Sequence, residues 1–384
     1  AASGWPEQVA RDVDLYLTVA RTLLADKAVA SLYGQEPAAA ALVAQARAAG
    51  ELTEQPLFGR ARMIDFSLYR PRGHYASAMQ EHNPGHLDLA AYFRAVTWLS
   101  RLEFNLVSRS CTSSERGPLV RATPREAATA IALGQLVGRA QQTAELDQVE
   151  RALALLAGRR EDVPLPRLAE LAAAAGIASL ADPQLTQKLG RQIGSGYART
   201  ARTHYTWEGC TELPVIATLL GPRIVADTAA LRPLLHGETP ERHMLQAADV
   251  AYTLGHAQAL TYLAGDLKKY PELRENLARA QKLARVPPGA DLYSAWSAAI
   301  RQLAEPAPTG SVLPSFMQTA AFANLRLGSS LAAFGQLRHN NVLLAAQTYD
   351  EGGCANPDAF LDPVPAVYDA LIAYAKEMDQ IALS

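Results

Sequence analysis

VARDVDLYLTVARTLL, residues 9 to 24, decides the fold class. Val9, Val13, Leu17, Ala20 and Leu24 recur every three or four residues, the spacing that lays one apolar stripe along an α-helix. Tyr92, Val96, Leu99 and Leu102 repeat the pattern. Further helical stretches cover 123–142, 143–158, 165–176, 181–196, 241–267, 270–284, 291–304 and the long segment 315–349, and 365–383 reads as a closing helix. Thr123, Pro124 and Glu126 form a helix start, with a capping residue, a proline at the first position and a carboxylate three residues on.

Runs with period-two alternation are short. PVIATLL (214–220) and SVLPSF (311–316) are the best strand candidates, and either also suits buried loop or helix. The expected fold is all-α or nearly so, a multi-helix domain spanning 1–384 that is compatible with a solenoid-like array of helical pairs joined by long loops. Proline and glycine concentrate near 50–60, 67–87, 221–240, 286–290 and 305–314, which read as loops, with a subdivision allowed near 221–240.

Composition excludes several classes. With 384 residues, 49% of them hydrophobic, the chain can bury a large core. Its 36 Lys and Arg nearly balance 38 Asp and Glu, so no field of one sign draws a nucleic acid or an anionic membrane. The most apolar windows, such as AAAALVAQARAAG (38–50), are interrupted by Gln45 and Arg47, and no transmembrane helix is predicted. The opening AASG reads as a processed mature end or a trimmed one. Cys111, Cys210 and Cys354 are the three cysteines, all among Ser, Thr, Gly or Asn, a setting that suits a surface disulfide and an oxidising compartment. Three pairings are open, with Cys111–Cys210 favoured.

Motifs for established chemistry are missing. HExxH and GxSxG do not occur, and His82 and His86 enclose Pro84 and Gly85, which prevents a metal-binding pair on one helical face. His243 and His256 fall on nearly opposite faces of a helix and cannot share an ion. GSGYAR (194–199) lacks a phosphate cradle, and HYTWEGC (204–210), which could wall a pocket with a general acid or base, reads first as the anchor of a helix end or loop. No cofactor or metal is assigned. In the 315–349 segment the polar block Gln336, Arg338, His339, Asn340, Asn341 interrupts an apolar helix and needs solvent or partners.

Four elements occur in order: RPRGHY (70–75), LAAYFRAVTWLSR (89–101), LRLGSSLAAFGQLRHNNVLLAAQTY (325–349) and LDPVPAVYDALIAY (361–374). This series resembles the bacterial and archaeal family called domain of unknown function 3160. Asn340 stands where that family's pattern has Asp, and Leu344 where an aromatic residue is common. The resemblance implies an exported, mostly helical domain, secreted, periplasmic or at the cell surface, with a lipid anchor upstream in some members. It implies no reaction, substrate or cofactor.

Two functions follow as expectations. The first is a secreted or cell-surface binding or assembly protein whose helices form a scaffold. The alternative is a hydrolase, metal-dependent in one version, with a pocket gathering Arg72, His74, Arg94, Trp98, Arg338, His339 and Asn340 from the 70–75 loop, the 89–101 helix and the 336–341 helix. A plain structural role competes with both: Arg72 and Arg338 paired with carboxylates such as Glu103 or Asp362, the histidines bonded to backbone carbonyls, and Trp98 in the core.

Overall fold

The apolar stripe of the opening helix continues beyond it, so that helices surround helices. The computed structural model describes residues 4–72, 75–76, 88–107, 123–194, 215–221, 223, 226–235, 238–285, 291–305 and 312–341; the side chains of residues 157, 226 and 339–341 fall outside this set. Two compact units divide the chain, Ala1–Asp350 and Glu351–Ser384, and the second lies wholly outside the described residues, as does the expected closing helix.

Described elements run in the order α1 (Glu7–Ala25), α2 (Glu36–Ala48), β1 (Leu52–Leu57), β2 (Arg60–Asp65), α3 (Leu89–Arg101), β3 (Phe104–Val107), α4 (Pro124–Arg139) and α5 (Thr143–Ala157). Next come β4 (Val163–Pro164), α6 (Leu165–Ala174), α7 (Leu185–Ile193), β5 (Val215–Thr218) and α8 (Ala226–Leu231). The series continues with α9 (Ala247–Leu254), α10 (Ala259–Tyr262), α11 (Ala264–Lys269), α12 (Leu273–Ala284), α13 (Leu292–Arg301) and α14 (Ala320–Asn341). The chain is mostly helical, as expected; among the described residues two small sheets mean that it is not strictly all-α.

Helix α1 packs against α2, α3 and α4. Its buried stripe is Val9, Val13, Tyr16, Val19, Ala20 and Leu23, rotated from the expected one: Leu17 is half-buried and Leu24 is 44% exposed. Tyr16 causes the rotation, because its ring packs 5.9 Å from Trp98 and 5.2 Å from Phe104. With three helices around it, α1 buries charge as well. Asp12 accepts two bonds from Arg125, at 2.6 and 2.8 Å, and Asp14 accepts the backbone N–H groups of Leu32 and Tyr33. A stack in which helix pairs touch only their neighbours would lack such contacts as α1 with α4, α5 with α13 and α9 with α14.

The 50–60 stretch, expected as loop, is a β-hairpin. β1 and β2 pair antiparallel, joined by Phe58 and Gly59 at φ 54° and 83°, a two-residue turn whose positive φ values match the twist of the strands. Pro56 is tolerated because each strand of a two-stranded sheet is an edge. The second sheet has the order β3-β5-β4, with β5 antiparallel to β3 and parallel to β4. β5 is the VIAT of PVIATLL, while the other strand candidate becomes a single 3-10 turn at Ser315–Gln318. Asp162 holds the end of β5 by accepting Thr218 N–H and Oγ–H, both at 2.8 Å, and is itself clamped by Arg160. Gly221 makes room for that clamp, since a Cβ there would lie 2.0 Å from Asp162 Oδ1.

α4 begins where the sequence predicts, but its cap is not the expected one. Thr123 Oγ donates to Asn105 O, and Glu126 turns into the core, where it accepts from Arg60 and from Asn105 N–H at 2.9 Å. The helix start is thereby fastened to β3 and the hairpin.

Among the described residues three apolar clusters result. The largest joins α1–α4, α6, α7 and the second sheet; a second joins α8, α12 and the turn after α8; the third consists of Leu254, Tyr293, Ile300 and Leu337 from α9, α13 and α14. The 221–240 stretch, expected as loop, contains α8 and a 3-10 turn at Arg232–Leu234.

Candidate functional site

The third cluster borders a recess. Each of its walls has a local cause. α13 starts at Asp291, whose carboxylate accepts Ser294 N–H at 2.7 Å and Ser294 Oγ–H at 2.9 Å, a helix cap. From that start, Tyr293 and Ile300 face the core, while Ser294, Ser297 and Arg301 form the adjacent stripe that lines the recess. α9 begins with a reciprocal cap between Gln246 and Asp249 and ends at Gly255, whose φ of 118° lets the chain turn away. Between these ends Val250, Thr253 and Leu254 line the recess, with Leu231 from α8 and Phe334 from α14 closing its apolar side. Its empty volume is about 410 Å³, counted with its open mouth.

At the inner edge three helices meet on one carboxylate. Tyr293 Oη donates to Asp227 Oδ1 at 2.9 Å, and Arg338 Nη1 donates to Asp227 Oδ2 at 3.0 Å and to Thr228 Oγ1 at 3.2 Å. Burial pushes the Asp227 carboxyl above the usual carboxylate range, against the pull of Arg338. Tyr293 is raised by the same burial and then by the neighbouring Asp227 charge. Both oxygens of Asp227 are therefore engaged, and the carboxylate serves as a bolt between α8, α13 and α14.

Thr253 is different. It is 4% exposed, its hydroxyl has no hydrogen-bond partner among the described residues, and it lies in the recess wall. A buried hydroxyl normally has a partner, and none of the described residues supplies one here. At the mouth stands Arg301, whose Nη1 donates to Ser297 Oγ at 3.4 Å; burial, then Arg285, lowers its pKa.

Of the residues expected from sequence, Trp98, Arg94, Arg72 and Arg338 are among those described. Trp98 is fully buried, its Nε1 donating to Tyr16 O at 3.0 Å, and it belongs to the largest cluster. Arg94 lies on the same helix, half-buried, with a buried Nε that has no partner among the described residues. Arg72 is exposed, and nearby Tyr75 rests on α3, its ring 6.3 Å from Tyr92 and 5.3 Å from Phe93. Arg338 pairs with Asp227 among the described residues. Among the described residues no hydrogen bond, ion pair or ring contact joins Arg338 to Arg72, Arg94 or Trp98. His74, the side chains of His339 and Asn340, the three cysteines with the expected Cys111–Cys210 bridge, Asp362, His82, His86 and HYTWEGC lie outside the described residues.

Asp227, Thr253, Tyr293 and Arg301 were missed from sequence. The signal was present in DLYSAWSAAIR, where Asp291 before Ser294 marks a cap and Ser294, Ser297 and Arg301 share one face beside an apolar stripe. Elsewhere, His256 Nε2 and Ser330 Oγ are 2.7 Å apart, at 3% and 0% exposure. Among the described residues no cluster of three His, Cys, Asp or Glu could hold a metal ion, and no helix is long and apolar enough to cross a membrane.

No curated protein and no solved structure matches this chain. One family model, described as "Protein of unknown function (DUF3160)", matches residues 1–383. With RPRGHY, LAAYFRAVTWLSR, the α14 segment and LDPVPAVYDALIAY all inside the matched range and in order, the chain belongs to the DUF3160 family.

Proposed function

We propose that this chain is an exported binding protein whose recess between α9, α13 and α14 receives a small amphipathic ligand. Thr253 carries the reading. A hydroxyl buried in a recess wall with no partner among the described residues is an energetic deficit that a bound molecule with one polar group would remove. The rest of the wall suits such a molecule, since Leu231, Val250, Leu254 and Phe334 offer apolar contact. Export, with a lipid anchor upstream as one arrangement, rests on the family resemblance alone.

The hydrolase reading, built on the 70–75 loop and the 336–341 helix, has less support, because Arg338 is already engaged by Asp227 and Thr228. The contact of His256 with Ser330 is a base beside a hydroxyl, but both are buried away from solvent, as a helix-packing contact would be.

Saturation-transfer NMR on the full chain with a panel of small amphipathic compounds tests the proposal, using Ser297→Trp to fill the mouth of the recess. Signals in the parent protein that vanish in Ser297→Trp, at unchanged thermal stability, are expected. Equal signals in both proteins, or none in the parent, would end the reading.

A further inference from the structure

We infer that two copies of this chain associate through α5, the two helices lying antiparallel about a twofold axis at Ala152, with Glu145 of each copy against Arg159 of the other. The inference is independent of the recess. α5 is fastened to the rest of the chain along its inner side. There Leu146, Leu153 and Ala154 are half-buried, and Glu150 accepts from Arg223 at 2.5 and 2.8 Å and lies 3.5 Å from Arg160. The outer side of a helix held in this way is normally polar. Here it carries Val149, Leu155 and Leu156, which are 44, 63 and 51% exposed. A run of exposed apolar side chains on one helix marks a contact surface.

Glu145, Val149, Ala152 and Leu156 recur every three or four residues and so share one seam, and Arg159 follows directly after the Gly158 cap of the helix. The seam is acidic at its start, apolar along its middle and basic at its end. Glu145 and Arg159 are exposed, and their side chains have no hydrogen-bond or ion-pair partner among the described residues.

That order of charge selects the occupant. A second copy laid antiparallel brings Arg159 to Glu145 at both ends of the seam, whereas a parallel copy sets like charges side by side and aligns the two helix dipoles. Ala152 stands midway between Glu145 and Arg159, between Val149 and Leu155, and between Gln148 and Leu156. An axis at Ala152 therefore opposes acid to base and Val149 to Leu155, in the self-complementary manner of a closed twofold pair. The small side chain on the axis lets the helices approach closely. A contact made by one helix of 15 residues from each copy is small beside the roughly 1,000 Å² of a firm interface, so the association depends on concentration.

Sedimentation velocity on the full chain, from micromolar to near-millimolar concentration, tests the pairing. The parent should pass from monomer to dimer as concentration rises. Ala152→Glu changes an exposed helical position and sets two carboxylates on the axis; it should remain monomeric at unchanged thermal stability. Glu145→Arg and Arg159→Glu should each weaken association about tenfold, since symmetry repeats the altered contact. The double variant, Glu145→Arg with Arg159→Glu, should regain the parent's association, because opposite charges face each other again. A parent that stays monomeric throughout would assign the stripe to a different partner, and dimers that survive Ala152→Glu would place the contact elsewhere; either result overturns the α5 interface. Single variants that associate as the parent does, or a double variant that does not recover, would overturn the antiparallel pairing.

Discussion

Arg338 and Asp227, separated by 111 residues, meet at 3.0 Å and fasten the long helix α14 to the short helix α8. Asp227 is the more buried partner, with 10% of its side chain exposed against 26% for Arg338. Removing the arginine therefore leaves a largely buried carboxylate without the cation that pairs it. Arg338→Met should cost about 2–3 kcal/mol in urea unfolding, the scale of a hydrogen bond to a charged group. Adding Asp227→Asn to that variant should recover part of the loss, because the orphaned charge is gone. Equal losses for the single and double variants would mean that Arg338 acts through packing alone.

His256 supplies a pH dependence of definite sign. Burial, and then the nearby Arg326 charge, hold its pKa below the ordinary 6.5. The unfolded chain then binds the proton more readily than the native one, so stability rises with pH across the window between the native value and 6.5. The contribution is complete above 6.5 and is lost as pH falls through the native value. Unfolding free energies measured between about pH 5 and pH 8 should fall on the acid side in the parent and flatten in His256→Gln. An unchanged slope in the variant would assign the dependence to other groups.

A single cap positions the polar face of the recess. Asp291 fixes where α13 begins, and from that start Ser297 and Arg301 point along one stripe. Asp291→Ala should lower stability by about 1 kcal/mol, the usual cost of a lost N-cap. It should also weaken binding of amphipathic compounds in the recess, because a frayed first turn loosens the stripe. Lower thermal stability with unaltered affinity would show that α13 is held by its packing on α9 and α14 and not by its cap.

Periodicity made the helices legible, because three-to-four spacing is a property of each segment alone. The hairpin was not: Pro56 and Gly59 carry loop chemistry, and only the packing of Phe58 on Phe104, 5.0 Å between ring centroids, shows why the turn is buried. Glu126 misled in the same way, since a carboxylate three residues after a capping threonine looks local, whereas its partners lie on β2 and β3. The site was the least legible part. Arg338 stood out among its polar neighbours, but its partner Asp227 sits in an unremarked ADTAAL, and nothing local links the two.

Two glycines of α4 separate the needs of packing from those of the helix. Glycine inside a helix normally destabilises it relative to alanine, by about 0.5–1 kcal/mol. Gly138 is exposed and a Cβ there would touch nothing within 4 Å, so Gly138→Ala should stabilise the protein by about 0.5 kcal/mol. Gly134 faces the start of α6, where a Cβ would lie 2.2 Å from Leu165 O and 3.3 Å from Ala169 Cβ. Backbone cannot yield as a flexible side chain does, so α4 and α6 must separate or tilt. Gly134→Ala should lose about 2–3 kcal/mol despite its better helix propensity, the scale of an overpacked core. Opposite signs of the two alanine substitutions in urea unfolding are the expected result; a gain at both positions would show that α4 and α6 lie farther apart than this contact requires.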